Sequence, residues 1–318
     1  MIVRRRRITV CPSSVRVSDG WMYGDFLIHG DEPFTFERCS FRQSQCFNTP
    51  SGALFRPVIA RTDRFGHELI AWDPEIGWSS FPAHALVATS EHNLGRSADL
   101  EVLYVGQAQG KKGDRLAVDR LLAHTTLQRI LADSAHQKPL DEVLVLMFRF
   151  ENSRNIISTA GDFSIEPIAS KEEEHEHLLR MGDVRLDRRN RITIAEAALI
   201  NYFKPEYNVV HRNSFHSSKN RKLETLKKLL AADFTALMVE LNTENIGCKI
   251  FTPSTPARRA EDIFPHDMLK RLRESSSKEA QQCLKEMTHM HVAKFALYDK
   301  KERETFVDSL PWGDGAAV

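Results

Sequence analysis

The sequence lacks most of the features that announce a class at once. Its 318 residues hold five cysteines, Cys11, Cys39, Cys46, Cys248 and Cys283. They form no Cys-x-x-Cys pair and no zinc-type spacing, which argues for reduced thiols over a disulfide framework or a metal knuckle. No run approaches the ~18 apolar residues that a membrane span needs. The first dozen residues carry Arg4 to Arg7 but no apolar stretch of signal-peptide length, so the sequence predicts a cytoplasmic protein with no membrane partner. Net charge is only +1, and any grip on nucleic acid must come from local basic patches. No internal repeat is present. Tyrosine is scarce too: Tyr23, Tyr104, Tyr202, Tyr207 and Tyr298 are the full set, with none between residues 24 and 103. What is there is ordinary for a soluble globular chain, with 42% hydrophobic and 27% charged residues at a length that suits two domains or three small ones.

Residues 1–80 place aromatic and β-branched residues in short runs broken by Gly, Pro, Asp and Asn, such as Trp21-Met22-Tyr23, Phe26-Leu27-Ile28 and Leu69-Ile70-Ala71-Trp72. Short runs between turn signals read as strands, which predicts a β-rich N-terminal domain. A hairpin is expected next, from Ala85–Ala88 through a polar loop to Leu100–Val105. Asp114 caps a predicted helix over about 115–133. Asp141–Glu151 reads as a buried third strand. A helix is predicted around 171–181, where the run Lys171 to His177 reads as a solvated acidic face, and another around 194–203, ended by Lys204-Pro205. Beyond residue 211, Ala236–Leu241 and Cys248–Thr252 suggest a strand pair, and 267–287 a helix. The last dozen residues read as frayed.

One ordered set of polar residues points to a reaction. Hydrolysis of a phosphodiester needs an activated water, positive charge for the phosphorus oxygens, and usually a cation held by hard oxygen ligands. Arg120 and His124 are four apart, so on a helix both project from one face and reach a single phosphate. Glu196 supplies a carboxylate on a second helix. Mg²⁺ (or Mn²⁺) is commonly held by few protein oxygens together with phosphate and water.

These residues resemble a known family. Tyr104-Val105-Gly106-Gln107-Ala108 is similar to the second half of the signature of GIY-YIG nucleases; Arg120 and His124 match the helix that carries the family's arginine and, in several members, a histidine. Glu196-Ala197-Ala198-Leu199-Ile200 followed by Pro205-Glu206-Tyr207-Asn208 resembles its metal-binding glutamate helix and asparagine. The resemblance covers roughly residues 83–210. It implies an α+β fold with a small, mainly antiparallel three-stranded sheet flanked by helices over residues 81–210. A β-rich domain over 1–80 would precede it and an α/β region over 211–318 would follow. The implied activity is metal-dependent cleavage of DNA, as in restriction, mobile-element or phage defence; RNA stays open as a substrate, and a non-cutting nucleic-acid-binding or interaction protein is the alternative.

The resemblance assigns Mg²⁺ to Glu196, charge stabilisation to Arg120, positioning of water or phosphate to Tyr104 and bracing to Asn208. Family members carry a first tyrosine about ten residues ahead of the second; the strand expected there has none. His84 is the proton acceptor in that window, and His124 is a second candidate base. Phosphate contacts fall to Lys111 and Lys112 and to the basic stretch with Arg212, Lys219, Arg221 and Lys222. Plain structural roles stay open: Thr193-x-x-Glu196 has the form of a capping box, Arg120 could pair with Asp119 or Asp133, and Tyr104 could simply pack.

Overall fold

The computed structural model describes residues 1–19, 21–32, 34–44, 47–48, 54–107, 124–150, 166, 168–184, 186–210, 212, 229, 234, 236–275 and 277–296. In chain order come β1 (Ile2–Arg6), β2 (Ile8–Val10), β3 (Arg16–Ser18), β4 (Trp21–His29), β5 (Phe36–Ser44), β6 (Phe47–Asn48), β7 (Leu54–Phe55), β8 (Ile59–Thr62), β9 (Glu68–Asp73) and β10 (Gly77–Pro82). Helix α1 (Ala83–Thr89), β11 (Glu91–His92), β12 (Leu100–Tyr104), α2 (Thr125–Gln137) and β13 (Asp141–Val145) follow. Then come α3 (Lys171–Asp183), α4 (Arg188–Phe203), β14 (Ala236–Asn242), β15 (Ile250–Phe251), α5 (Ala260–Ile263), α6 (His266–Glu274), α7 (Lys278–His289) and β16 (Met290–Ala296). The protein is α+β. No helix among the described residues is long and apolar enough to cross a membrane.

The first part is β-rich, as its turn-punctuated runs predict. One sheet has the order β11-β5-β4-β2 with β3 also on β4, and a second runs β10-β9-β8. The longest strands alternate cleanly: Met22, Phe26 and Ile28 of β4 are buried, while Trp21, Tyr23 and Leu27 between them are only partly covered. Phe26 stacks on Phe41 of β5 with ring centroids 4.3 Å apart.

The sheet that positions the candidate site is β13-β1-β12-β15. Strand β1 lies in the middle, antiparallel to β12 and β13, and β15 runs parallel to β12. Hydrogen bonding therefore joins one strand from residues 1–80, two from 81–210 and one from 211–318. Arg4 and Arg5 sit in the central strand because carboxylates stand opposite them. Arg4 Nη2 donates to Glu101 Oε2 at 2.7 Å across β12, and Arg5 Nε donates to Glu142 Oε1 at 2.6 Å across β13. A one-residue slip would carry both charges to the wrong faces, so the pairs help fix the register.

Several expectations need correction. Residues 85–88 are helical: Ala83, Leu86 and Val87 of α1 are buried on one face, and a four-residue apolar run does not by itself distinguish strand from helix. The antiparallel partner of β12 is β1, so the expected three-stranded sheet is a four-stranded one with a parallel edge. Strand β14 pairs with β16, while β15 pairs with β12. The single helix expected over 267–287 is two, because Ser277 accepts from the Ala280 N–H and starts α7 afresh. The third strand stops at Val145. His177, expected on a solvated face, is buried.

Two apolar clusters hold the site elements. Val3, Val102 and Val105 share the large core with Ile194, Ala198 and Phe203 of α4. Ile2 and Leu103 form a small core with Ile130 of α2, against which Tyr104, Leu127, Val143 and Tyr207 pack.

Candidate active site

The end of β12 is irregular. Val3 faces Val102 but Ile2 faces Tyr104, so Leu103 is an extra residue in the strand. Such a bulge breaks the alternation and re-aims a side chain. Leu103 and Tyr104 accordingly both join the small core under α2. Gly106 lies close against this ring: a Cβ there would lie 2.6 Å from Tyr104 Cε1 and 3.1 Å from its hydroxyl oxygen, so a larger residue requires the ring to shift.

His124 meets the Tyr104 ring edge-on, with centroids 5.3 Å apart. It is also the N-cap of α2, where its Nδ1 accepts from the Leu127 N–H at 3.2 Å. With Nδ1 accepting, the neutral ring carries its proton on Nε2 and presents a donor there. This corrects the expected helix over 115–133: His124 has extended backbone and the helix starts at Thr125, so no single helix carries Arg120 and His124 on one face.

Glu196 approaches from the other helix. Helix α4 begins at Arg188, capped by Asp187 accepting from the Asn190 N–H at 2.7 Å. Glu196 therefore lies in the middle of α4, and the capping-box alternative for Thr193 and Glu196 fails. Its Oε1 instead accepts from the Gln107 N–H at 3.0 Å, and Thr193 Oγ1 donates to Gln107 Oε1 at 3.5 Å.

Helix α4 ends at Lys204 in the left-handed region ahead of Pro205, which cannot continue it. The turn brings Tyr207 and Asn208 alongside β12. The Tyr207 N–H donates to Leu103 O at 3.1 Å. Asn208 clamps Val105 twice, its Oδ1 accepting from the Val105 N–H and its Nδ2 donating to Val105 O, both at 2.9 Å. Both amide ends are spent on the backbone, so Asn208 braces the strand.

Motif reading missed a neighbouring triad. The Tyr207 hydroxyl donates to Asp133 Oδ2 at 2.9 Å, Arg129 Nε lies 3.6 Å from the same oxygen, and the Arg129 guanidinium covers the Tyr207 ring at 5.6 Å. Burial, then the bond to Asp133, pushes the Tyr207 hydroxyl up to about 12. The i,i+4 spacing of Arg129 and Asp133 was legible in the sequence; the tyrosine that joins them was not. Asp133 is thus engaged by Tyr207 and Arg129.

The remaining expected residues fare differently. His84 is exposed on α1 and makes no hydrogen bond, ion pair or ring contact among the described residues. Arg212 is tied to α4 through its carbonyl, which accepts from Asn201 Nδ2 at 3.3 Å. Arg120, Lys111, Lys112, Lys219, Arg221 and Lys222 lie outside the described residues. Among the described residues no group of three or more His, Cys, Asp or Glu side chains is arranged to hold a metal ion. A cation at Glu196 would thus rely on one carboxylate together with phosphate and water oxygens, a donor set that suits Mg²⁺.

Compared with protein-family models, with curated proteins and with solved structures, the chain matches none of them.

Proposed function

We propose that the protein is a metal-dependent endonuclease that hydrolyses phosphodiester bonds in DNA on a GIY-YIG-like core. One observation carries the reading: three separated motif elements converge on the end of β12. His124 touches Tyr104, Glu196 holds the Gln107 amide, and Asn208 clamps Val105 between them. On this reading the core is the antiparallel trio β13-β1-β12 flanked by α2 and α4, and residues 7–99 are an insertion between its first two strands.

Glu196 is the residue that would hold Mg²⁺ or Mn²⁺. When bound, such an ion supplies charge neutralisation at a phosphate oxygen. The Tyr104 hydroxyl, held over Gly106, orients the attacking water or a phosphate oxygen. The His124 Nε2–H is suited to hydrogen-bond a phosphate or departing oxygen, a charge-stabilising role rather than that of the expected base; the attacking water gives its proton to solvent and the departing oxygen takes one from solvent. Arg120 keeps the role of stabilising charge on the phosphorus oxygens. His84 has no part in this mechanism.

A second reading is favoured by one specific observation. The residue opposite Tyr104 is Ile2, so no tyrosine stands on the neighbouring strand, and the unprotonated nitrogen of His124 is engaged at Leu127. A core with no side chain placed to take the proton from water is suited to binding nucleic acid without cutting it. Cleavage of plasmid DNA with Mg²⁺ or Mn²⁺ but not with EDTA supports the enzyme. Glu196→Ala is expected to lower the rate by orders of magnitude, since a metal ligand acts mainly on the transition state. An unchanged rate in that variant refutes the assignment, and a wild-type protein that binds DNA without cutting it supports the second reading.

A further inference from the structure

The three-stranded sheet β10-β9-β8 has one face in the core and one in solvent. Leu69 and Ala71 of β9 point inward and are fully buried. On the outward face the register aligns Ile59, Trp72 and Trp78 in one row across the strands, and Arg61, Ile70 and Ser80 in the next. Trp78 is 54% exposed and Ile59 52%, and Phe65, in the turn between β8 and β9, is 66% exposed. Single exposed apolar residues are ordinary, but a contiguous apolar patch such as Ile59, Trp72 and Trp78 marks an interaction surface.

Arginines lie on these rings. Arg61 reaches diagonally across the middle strand to place its guanidinium 5.0 Å from the Trp78 ring centre, and Arg64 stands 5.6 Å from that of Phe65. Neither arginine has a carboxylate partner among the described residues. Glu68 shares the face, but its Oε2 accepts from the Ser80 hydroxyl at 2.6 Å. The outward face of the β4–β5 sheet also stacks arginines on aromatics, yet there Arg42 is neutralised by Glu91 at 2.6 Å and Arg38 stands 4.0 Å from Asp25. Arg16, over the Tyr23 ring at 4.8 Å, is the arginine of that face without a carboxylate among the described residues, but Trp21 and Tyr23 are half-buried there, so it is the exposure of Trp78 and Phe65 that singles out the smaller sheet. Composition agrees: residues 1–110 contain eleven arginines and no lysine, the first being Lys111. A planar guanidinium stacks on rings and bases and pairs with phosphate through two parallel bonds; an ammonium does neither.

We propose that this β8–β10 face binds single-stranded nucleic acid, with bases stacked on Trp78, Phe65 and the guanidinium planes and phosphates paired to Arg61 and Arg64. Alternating aromatic platforms and arginines are what a sequence-tolerant single-strand site requires. The proposal does not depend on whether the Glu196 site cuts.

The test is fluorescence anisotropy of the full chain with a labelled oligothymidylate of about 20 nucleotides, longer than a single small binding site requires, with EDTA present throughout. Cleavage plays no part in the signal, so failure of the nuclease reading leaves the result interpretable. Wild-type protein is expected to bind the single strand more tightly than a duplex of equal length. Trp78→Ala and Arg61→Ala are each expected to weaken binding about ten-fold, Trp78→Phe to retain most of it, and Arg16→Ala on the other sheet to leave it unchanged. Arg61→Lys guards against misfolding, because it keeps the exposed charge and is expected to lose affinity with an unchanged thermal midpoint. No single-strand binding by the wild type, equal affinity for the duplex, or normal binding by folded Trp78→Ala and Arg61→Ala proteins would each overturn the proposal. The first of these outcomes would leave a protein partner as the occupant of the face.

Discussion

Replacing Asn208 by alanine tests whether the end of β12 is held as the geometry requires. Asn208 is 6% exposed and Val105 3%, so neither water nor solvent-facing groups replace the two bonds at 2.9 Å that join them. Each bond contributes about 1 kcal/mol net, and each buried backbone group left without a partner costs about 1–3 kcal/mol. The expected loss is about 3 kcal/mol, a large share of the roughly 5–15 kcal/mol that keeps a typical protein folded. Urea denaturation reads the global effect. Hydrogen exchange of the Val105 amide reads the local one, and about 3 kcal/mol corresponds to roughly 100-fold faster exchange. Asn208→Asp separates the bonds from the volume: it keeps the size and an acceptor for the Val105 N–H, but sets a carboxylate against Val105 O, so it too is destabilising. If Asn208→Ala leaves both the urea midpoint and the Val105 exchange rate unchanged, the clamp does not form and the bracing argument fails.

Three other perturbations follow from the same geometry. Gly106→Ala forces the Tyr104 ring off His124, at a cost of about 1–3 kcal/mol for overpacking; NMR should show the His124 ring protons losing the ring-current shift of Tyr104, and unmoved resonances count against the close approach. Glu142→Ala leaves the Arg5 side chain, 2% exposed, without its carboxylate and is expected to cost about 3–5 kcal/mol in urea, with Arg5→Leu/Glu142→Leu costing less because no charge is stranded; equal losses refute the pairing. His291 is held down to about 4, first by burial and then by Arg258. Its folded value lies below the unfolded one, so the unfolded chain takes up the proton first and stability is lost as pH falls from about 6.5 to about 4, by up to roughly 3 kcal/mol. His291→Gln should flatten that part of the stability profile, whereas the same slope in both proteins places the acid sensitivity elsewhere.

The parts of the site that were legible are those whose signals are local. The apolar run ending at Tyr104 is a strand, Lys204-Pro205 does end a helix, and the spacing from Glu196 to Asn208 does return the chain to β12, because caps, prolines and periodicity act over a few residues. The identity of the strand beside β12 is not local. Four consecutive arginines after Met1-Ile2-Val3 do not read as the centre of a sheet, since a lone buried guanidinium is too costly to desolvate. What makes it tolerable is Glu101 and Glu142, about 100 and 140 residues away in sequence, standing opposite in register. The four apolar residues of Ala85–Ala88 are nearer in sequence and have the local signature of a strand, with His84 the proton acceptor beside them. On β1, the strand that does pair with β12, one residue faces Tyr104. It holds Ile2, an apolar side chain in the small core under α2. If the protein cuts DNA as proposed, the proton of the attacking water must therefore go to something other than a tyrosine on β1, because the strand facing Tyr104 carries none.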